Sequence, residues 1–351
     1  MTTLSESLIA LSLALAAQPG PAALPQESAV LADVTRGARP TVTYPVTRVV
    51  DGDTLWVERE GRTEKLRLMC VDTEERLELG DSLSATKAGT PFGSACEEWA
   101  KEFFAALGRD GQPARVGLLF PGGVEQRDVY GRLLCHVLLE DGTDFNLLLV
   151  REGKSPYFDK YGYSDVAHEA FVRAEREAQA AQKGIWHPET NAGAARRPYD
   201  RLLPWWEARA QAVEGFKARH AKTPTAVVSA ELPEELEAAL TAAHPRIEVF
   251  GSVFQLFDET DGSLTVLFRG GDKQRSLRVR IPAEERANYA ALDLAGSTKE
   301  FVQNYLYVAG RLTRTQRGFE LVGVRPRDWR RAGPEPVFAD PSATREASAG
   351  R

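Results

Sequence analysis

Three short, charged segments of this 351-residue chain contain the residue types needed to act on an anionic phosphate ester. They are VDGDT at 50–54, LRLMCVDTEE at 66–75 and DVYGR at 128–132. Aspartate oxygens are ligands that hard divalent cations prefer, and such a cation polarises a phosphoryl group and activates a water molecule. Arginine stays charged and offers paired donors to the oxygens of a five-coordinate phosphorus transition state. Each segment alone is weak evidence, because Asp-Gly turns are common, but together they could perform metal-assisted phosphodiester hydrolysis.

The order and spacing of the three segments resemble the pattern of the staphylococcal nuclease-like (thermonuclease) family. That pattern is a D-G-D-T turn, then R-x-x-x-x-D-T-P-E, then Y-G-R, and the resemblance covers about residues 44–186, up to the closing Gly184-Ile185-Trp186. The chain departs from the pattern at Glu74, where the family has proline. Because proline would fix φ and stiffen this bend, we expect a looser loop here, with a second carboxylate beside the base and with activity retained.

The resemblance implies a role for each matching residue. The implied ligands of the metal, Ca²⁺ with Mg²⁺ or Mn²⁺ as alternatives, are Asp53, Asp72 and the carbonyl of Thr73. Four further side chains act on the phosphate or on the attacking water: Arg67 and Arg132 as phosphate ligands, Glu75 as general base, and Asp51 as the residue that orients the water ligands of the metal. A glutamate with an ordinary pKa of about 4.3 is a weak base, so the metal must contribute to activating the water.

The implied function is a metal-dependent nuclease, with calcium as the expected metal, that hydrolyses DNA, RNA or both with the 5′ oxygen as leaving group. Sequence selectivity should be low, because the metal and the arginines contact only the phosphate. Two other functions remain open: a non-catalytic nucleic-acid-binding module of the same fold, and a scaffold in which region 191–245 is the functional centre. Members that lose catalysis typically lose these carboxylates or arginines, whereas this chain keeps them all, which favours the enzyme.

Aromatic and basic residues extend the candidate substrate surface beyond this set. Tyr130 in the third segment, and Tyr157 and Tyr161 farther along, could stack on bases, while a packing role for the last two is equally compatible with the sequence. In the second half of the chain, Arg278 and Arg280 are two positions apart and share one face of a predicted strand. Such a face could follow a phosphate backbone, and a solvated basic surface over core aromatics is the alternative.

Alternating apolar residues separated by Asp-Gly and Glu-Gly turns predict five strands in the first half of the chain. They lie at 46–50, 54–58, 65–71, 115–120 and 133–139. Helical spacing predicts one helix that opens at Ser94, with Glu97 as its capping-box partner, and further helices at 146–152 and 164–183. This order suits a small Greek-key barrel. The predicted fold class is mainly β with α (α+β), an OB-fold-like five-stranded barrel with helices at 41–190.

The rest of the chain predicts a helical linker at 191–245, whose main helix is entered at Pro204, and a second unit at 246–332. Five more strands are predicted, at 246–257, 264–268, 276–281, 305–315 and 319–324. A helix predicted at 287–302 separates the third of these strands from the fourth. Because this is the element order of an OB-fold, we expect a second OB-like barrel.

Composition fits an ordinary globular protein of two or three domains, with 43% hydrophobic and 27% charged residues, and excludes collagen-like, coiled-coil and mainly disordered chains. The net charge of −6 gives no global electrostatic reason to bind a polyanion. Region 41–190 contains 18 basic and 26 acidic residues, and region 191–351 contains 24 and 21. Nucleic-acid affinity must therefore come from the metal site or from the second unit. We expect a monomer.

The N-terminal segment predicts export. An apolar run at 8–17, LIALSLALAA, precedes several prolines, and ALA at 14–16 fits a small-x-small cleavage site. These features predict a signal peptide at 1–17, a linker at 18–40 and a secreted or periplasmic protein. The first seven residues contain no Lys or Arg, and the protein would be cytoplasmic if the segment is not a signal. The Pro/Ala/Ser-rich stretch 333–351 predicts a disordered tail, and no run of about 18 apolar residues predicts a transmembrane helix.

Overall fold

The computed structural model describes residues 39–77, 85–128, 130–270 and 275–339. The predicted signal peptide, nearly all of the predicted linker at 18–40 and the predicted tail beyond residue 339 lie outside these ranges. None of the helices within them combines the length and the apolar character that a membrane span requires.

The first half of the chain forms a β-barrel with three helices around it. The strands of this half are β1 (Tyr44–Val49), β2 (Thr54–Arg59), β3 (Arg62–Leu68), β4 (Glu75–Arg76), β5 (Gly89–Thr90), β6 (Arg115–Leu119), β7 (Gln126–Arg127) and β8 (Leu133–Leu138), and its helices are α1 (Pro91–Leu107), α2 (Phe145–Arg151) and α3 (His168–Ala180). Strands β1, β2, β3, β6 and β8 form the barrel, whereas β4 and β5 pair in a separate two-stranded sheet. The first three strands form an antiparallel meander, β8 runs parallel to β3, and β6 closes the barrel between β8 and β1. The predicted five-stranded barrel is confirmed.

Side-chain alternation on β3 sends the core and the functional residues to opposite faces. Leu66 and Leu68 are buried in the barrel core together with Leu133 and Cys135 of β8. Arg67, which lies between the two leucines, therefore points to the outer face. Strands β3 and β8 are paired in parallel. The strand that leads to Asp72 therefore lies beside the strand that follows the third charged segment.

Helix α1 begins three residues before the predicted start at Ser94. Thr90 is the N-cap, and its hydroxyl accepts a hydrogen bond from the main-chain N of Gly93 at 2.9 Å. Pro91 takes the first helical position, where a missing N–H costs nothing. Ser94 instead accepts a hydrogen bond from the main-chain N of Leu77 at 3.1 Å, so the predicted capping box is wrong.

The second half contains one long helix and a second sheet. Its elements are α4 (Tyr199–His220), β9 (Val227–Ser229), α5 (Pro233–Thr241), β10 (Ile247–Asp258), β11 (Leu264–Phe268), β12 (Leu277–Ile281), β13 (Tyr305–Thr315), β14 (Gly318–Val322) and β15 (Trp329–Arg331). Strands β10, β11, β12, β14 and β13 close into a barrel through the β13–β10 pair, with β12 parallel to β14. This is the same connectivity as in the first barrel, with the third and fifth strands parallel.

The predicted helix at 287–302 is wrong. The chain forms two 3₁₀ segments, Ala283–Leu292 and Gly296–Thr298. Asp293 stands between them in the left-handed conformation, with φ 42°, and its carboxylate accepts a hydrogen bond from the main-chain N of Gly296. An aspartate that bonds its own local backbone in this way competes with a continuous helix.

Helix α4 lies between the two barrels and contacts both. It begins at Tyr199, and Pro204, the predicted entry point, lies inside it. Trp206 is buried and packs edge-on against Phe158 of the first half, with ring centroids 4.8 Å apart. Trp205 donates a hydrogen bond to the carbonyl of Val302 at 2.7 Å. The helix therefore shares its buried side chains between the two halves.

Candidate active site

The first charged segment is a tight turn between β1 and β2. The carboxylate of Asp51 accepts a hydrogen bond from the main-chain N of Asp53 at 2.9 Å, which fixes the turn. A Cβ at Gly52 would lie 2.6 Å from Cγ2 of Thr73 and 2.8 Å from Sγ of Cys96. Only glycine therefore lets this turn pack directly on the second segment.

Asp53 joins the turn to the second segment. One of its carboxylate oxygens accepts a hydrogen bond from the main-chain N of Thr73 at 2.9 Å. The other accepts one from the hydroxyl of Thr54 at 3.2 Å and forms an ion pair with Arg67. The side chain is 7% exposed, so both oxygens are held in a largely dry setting.

Arg67 contacts both of the predicted metal-binding aspartates. One of its terminal nitrogens pairs with Asp53, and the other donates to Asp72 at 2.8 Å and to the carbonyl of Val71 at 3.2 Å. Cys70, with φ 63°, makes the left-handed bend after β3 that turns the chain back toward Arg67. The structure thus brings Asp53, Arg67 and Asp72 around one point.

A second arginine, absent from the sequence prediction, also lies at this point. Arg197 donates to the second carboxylate oxygen of Asp72 at 2.6 Å. Its other terminal nitrogen lies 3.1 Å from the carbonyl oxygen of Asp72 and 3.4 Å from that of Thr73. Arg197 is 124 positions from Thr73 and lies outside the segments that resemble the family, so no local sequence signal identifies it.

The charges of these arginines control the pKa of Asp72. Burial alone would raise it, but Arg197, Arg67 and Lys87 together hold the pKa of Asp72 below its usual range. The pKa of Asp51 shifts in the opposite direction. Burial raises the pKa of Asp51 and outweighs the opposing charges of Arg67 and, more weakly, Arg132. Arg132 therefore lies within electrostatic range of the turn at 51–53.

Glu74 and Glu75 face different environments. Glu74 is buried, and its carboxylate accepts hydrogen bonds from the Thr90 hydroxyl at 2.5 Å, the Asn191 amide at 2.7 Å and the Tyr199 hydroxyl at 3.1 Å. The expectation of a looser loop at this position is therefore wrong, because these contacts tie the bend down. Glu75 is 41% exposed, and its carboxylate lies 3.6 Å from Lys87.

Arg132 is oriented from within its own segment. Its Nε donates to Asp128 at 2.7 Å, and the same carboxylate accepts hydrogen bonds from the main-chain N atoms of Tyr130 and Arg132, each at 2.9 Å. The guanidinium of Arg132 lies 5.5 Å from the ring centroid of Tyr130, which is 80% exposed. This pair presents a charge and an aromatic ring to solvent.

The two other predicted tyrosines occupy opposite settings. Tyr157 is buried and stacks on Phe171 at 5.0 Å, and its hydroxyl lies 3.0 Å from Nδ1 of His168. Tyr157 is therefore a packing residue, and its ring offers no face to a base. Tyr161 is 59% exposed and keeps a surface on which a base could stack.

Arg278 and Arg280 lie on β12 of the second barrel and share one strand face, as their spacing predicts. Arg280 forms an ion pair with Asp261 and donates to the Ser263 hydroxyl at 3.0 Å. Arg278 donates to the carbonyl of Arg317. These contacts lie within the second barrel, so both guanidinium groups already have partners there.

The donor set of the site suits a hard divalent cation. Two buried carboxylates, Asp53 and Asp72, and the carbonyl of Thr73 are all oxygen ligands, the type that Ca²⁺ and Mg²⁺ prefer. Across the described ranges, no group of three or more His, Cys, Asp and Glu side chains is arranged to hold a metal. A cation here would thus be held by two carboxylates and a main-chain oxygen, leaving further positions for water and phosphate.

Part of this chain is similar in sequence to a known protein family and to several named proteins. Residues 65–188 match the family model described as "Staphylococcal nuclease homologue". The thermonuclease of Staphylococcus intermedius is 32% identical over 148 residues, which cover 41% of this chain and 75% of that protein. The thermonuclease of Staphylococcus hyicus is 30% identical over 147 residues, with the same two coverages. Endonuclease YhcR of Bacillus subtilis is 33% identical over 144 residues, 40% of this chain and 11% of that protein.

Proposed function

Because this chain belongs to the staphylococcal nuclease family, we propose that it is a nuclease whose active site lies at the contact between the turn at 51–53 and the bend at 72–75. One observation carries the proposal. A single guanidinium, that of Arg67, contacts the carboxylates of Asp53 and Asp72, while Asp53 also accepts a hydrogen bond from Thr73. Residues from the β1–β2 turn, from β3 and from the bend after β3 thus converge on one point, and they include both negative and positive charges.

We propose that Asp53, Asp72 and the carbonyl of Thr73 hold a divalent cation, with Ca²⁺ as the expected ion and Mg²⁺ or Mn²⁺ as alternatives. When bound, the cation supplies Lewis-acid polarisation of a phosphoryl oxygen and a site for water. Asp51 approaches from the same turn and accepts hydrogen bonds from water molecules at the site. Arg67 binds the scissile phosphate beside these carboxylates and stabilises the charge that develops on its oxygens.

Glu75 and Arg132 complete the proposed chemistry. The carboxylate of Glu75 is partly exposed and takes the proton from the water that attacks phosphorus in line. Arg132, held by Asp128, binds a phosphate oxygen from the solvent side. The 5′ oxygen leaves, so the products carry a 3′ phosphate and a 5′ hydroxyl.

The proposed substrates are DNA and RNA. The residues of the site address the phosphate and not the base edges, so cleavage should show little sequence preference. Tyr130 and Tyr161, both largely exposed, provide rings on which bases can stack. Because the first unit is acidic, we expect its affinity for nucleic acid to depend on the metal.

Purified protein incubated with plasmid DNA or RNA tests the proposal. We expect cleavage with Ca²⁺, none with EDTA and none for Arg67→Ala, whereas Arg196→Ala, at an exposed arginine, should cleave like the wild type. Product ends should accept a 5′ label from polynucleotide kinase without prior phosphatase treatment. A protein that binds DNA with Ca²⁺ and never cuts it would support the non-catalytic binding module instead.

A further inference from the structure

Residues 189–199, here called the strap, lie across the edge of the candidate active site. Asn191 accepts a hydrogen bond from the main-chain N of Phe92 at 2.9 Å and donates to Glu74 at 2.7 Å. At the other end, Tyr199 donates to Glu74 at 3.1 Å. Both anchors of the strap therefore bind Glu74, the residue at the position where the family pattern has proline.

Between these two anchors, the strap inserts Arg197 into the site. The Arg197 side chain is 2% exposed, so it is not presented to an external substrate. Its two terminal nitrogens contact the carboxylate of Asp72 and the carbonyls of Asp72 and Thr73. These include two of the three groups proposed above as metal ligands.

We propose that Arg197 is a built-in cation that competes with the divalent metal for Asp72 and for the carbonyl of Thr73. This inference rests on the proposed function. Arg67 contacts one carboxylate oxygen of Asp72, and Arg197 contacts the other as well as the carbonyl of Thr73. A dication bound to these last two oxygens would meet the like charge of Arg197 at short range. Metal binding therefore requires Arg197 to move away, and the two anchors of the strap oppose that movement.

A purely positioning role for Arg197 predicts the opposite change in metal affinity when Arg197 is removed. If Arg197 only held Asp72 in the orientation that a metal needs, its removal would weaken metal binding. Competition predicts tighter binding, because metal would no longer have to break the hydrogen bonds of Arg197. Because metal binding would no longer have to break a charge-assisted hydrogen bond, removal of Arg197 should tighten binding about tenfold or more, and tenfold corresponds to about 1.4 kcal/mol.

Calcium titration of the full chain by isothermal calorimetry separates the two roles. We expect Arg197→Gln to bind Ca²⁺ at least tenfold more tightly than wild type, and Arg196→Gln, the exposed neighbour, to bind like wild type. Arg197→Lys keeps the charge but has a single nitrogen that cannot span the same oxygens, so it should fall between them. Equal or weaker Ca²⁺ binding by Arg197→Gln, in a chain that circular dichroism shows to be folded, would overturn the proposal.

A second measurement uses the wild-type chain and needs no substitution at residue 197. Trypsin can cut between Arg196 and Arg197, whereas the bond from Arg197 to Pro198 resists it. If Ca²⁺ displaces Arg197, it should increase cleavage at the Arg196–Arg197 bond relative to EDTA, and equal or slower cleavage counts against the proposal.

The Asp72→Asn variant separates failure of this inference from failure of the metal site. If wild type binds Ca²⁺, Asp72→Asn does not, and Arg197→Gln binds like wild type, only the competition is refuted. If neither wild type nor Arg197→Gln binds Ca²⁺, the proposed metal site is refuted together with it.

Discussion

Substitution of the two adjacent glutamates should separate catalysis from stability. Glu75→Gln removes the carboxylate that we propose takes the proton from water. Glu74→Ala removes a buried carboxylate that accepts three hydrogen bonds. Although the two residues are neighbours in sequence, we expect the first change to affect the rate and the second to affect folding.

The expected loss for Glu75→Gln is about 10²–10⁴-fold in kcat, the usual contribution of a general base. Its effect on stability should be small. The carboxylate is 41% exposed and its ion-pair partner Lys87, 3.6 Å away, is 54% exposed. Such surface pairs contribute about 1 kcal/mol or less, so Tm should hardly change.

The expected loss for Glu74→Ala is in the free energy of unfolding. The side chain is buried, and its removal leaves the Thr90 hydroxyl, the Asn191 amide and the Tyr199 hydroxyl without their acceptor. Hydrogen bonds to charged groups contribute roughly 1.5–3 kcal/mol each. Allowing for rearrangement of the freed donors, we expect a loss of about 4 kcal/mol. A change of that size lowers Tm by roughly 10 °C in a domain of this size.

Thermal melting followed by circular dichroism, together with nuclease rates measured at 25 °C, tests both expectations. Glu98→Ala, at a glutamate whose side chain is 67% exposed, serves as the control and should change neither quantity. A Glu75→Gln chain that keeps full activity would refute the assignment of the base. An inactive Glu74→Ala chain with an unchanged Tm would refute the assignment of Glu74 to stability.

Three further changes test other parts of the structure. Arg132→Ala should lower kcat about 10²–10³-fold with little change in Tm, because its side chain is 27% exposed; an unchanged rate would remove it from the site. Gly184→Ala should destabilise the protein by roughly 3 kcal/mol or more in urea unfolding, because φ is +54° and a Cβ would lie 2.0 Å from the carbonyl oxygen of Gly153; a loss below 1 kcal/mol would contradict that geometry. Burial alone would lower the pKa of His136, but the hydrogen bond and charge of Asp144, with Cys70, raise the pKa to about 10 from the ordinary 6.5. The pair should therefore stabilise the fold fully below pH 6.5 and progressively less toward pH 10, so the stability difference between wild type and His136→Gln should shrink over this range, and a constant difference would refute the pairing.

The barrels could be predicted from the sequence because their signals are local. Apolar alternation and Asp-Gly turns mark strands one at a time, and the order of elements then limits the topology. The D-G-D turn and the segment from Arg67 to Glu75 could be read for the same reason. The start of α1 cannot be predicted from local sequence, because Ser94 and Thr90 both qualify as N-caps; in the structure the side chain of Thr90 provides the bond.

Other features depend on contacts that no local pattern records. The sequence predicts a loosened bend at Glu74, because two of the three partners that hold this residue, Asn191 and Tyr199, are 117 and 125 positions away. Arg197 reaches Asp72 across 125 positions and has no motif around it. Tyr157 could not be assigned to the core or to the surface, because the stacking partner that buries it, Phe171, belongs to a helix packed on the barrel.

Two features have a practical consequence for the cloning of a shorter version of this protein: the strap contacts the first half, and α4 contacts both halves. A fragment that stops at residue 188, where the family match ends, would lack Arg197 and two of the three partners of Glu74, and would leave Phe158 without Trp206. The metal affinity and Tm measured on such a fragment would not represent those of the full chain. A fragment that keeps these contacts must extend at least to His220, the last residue of α4.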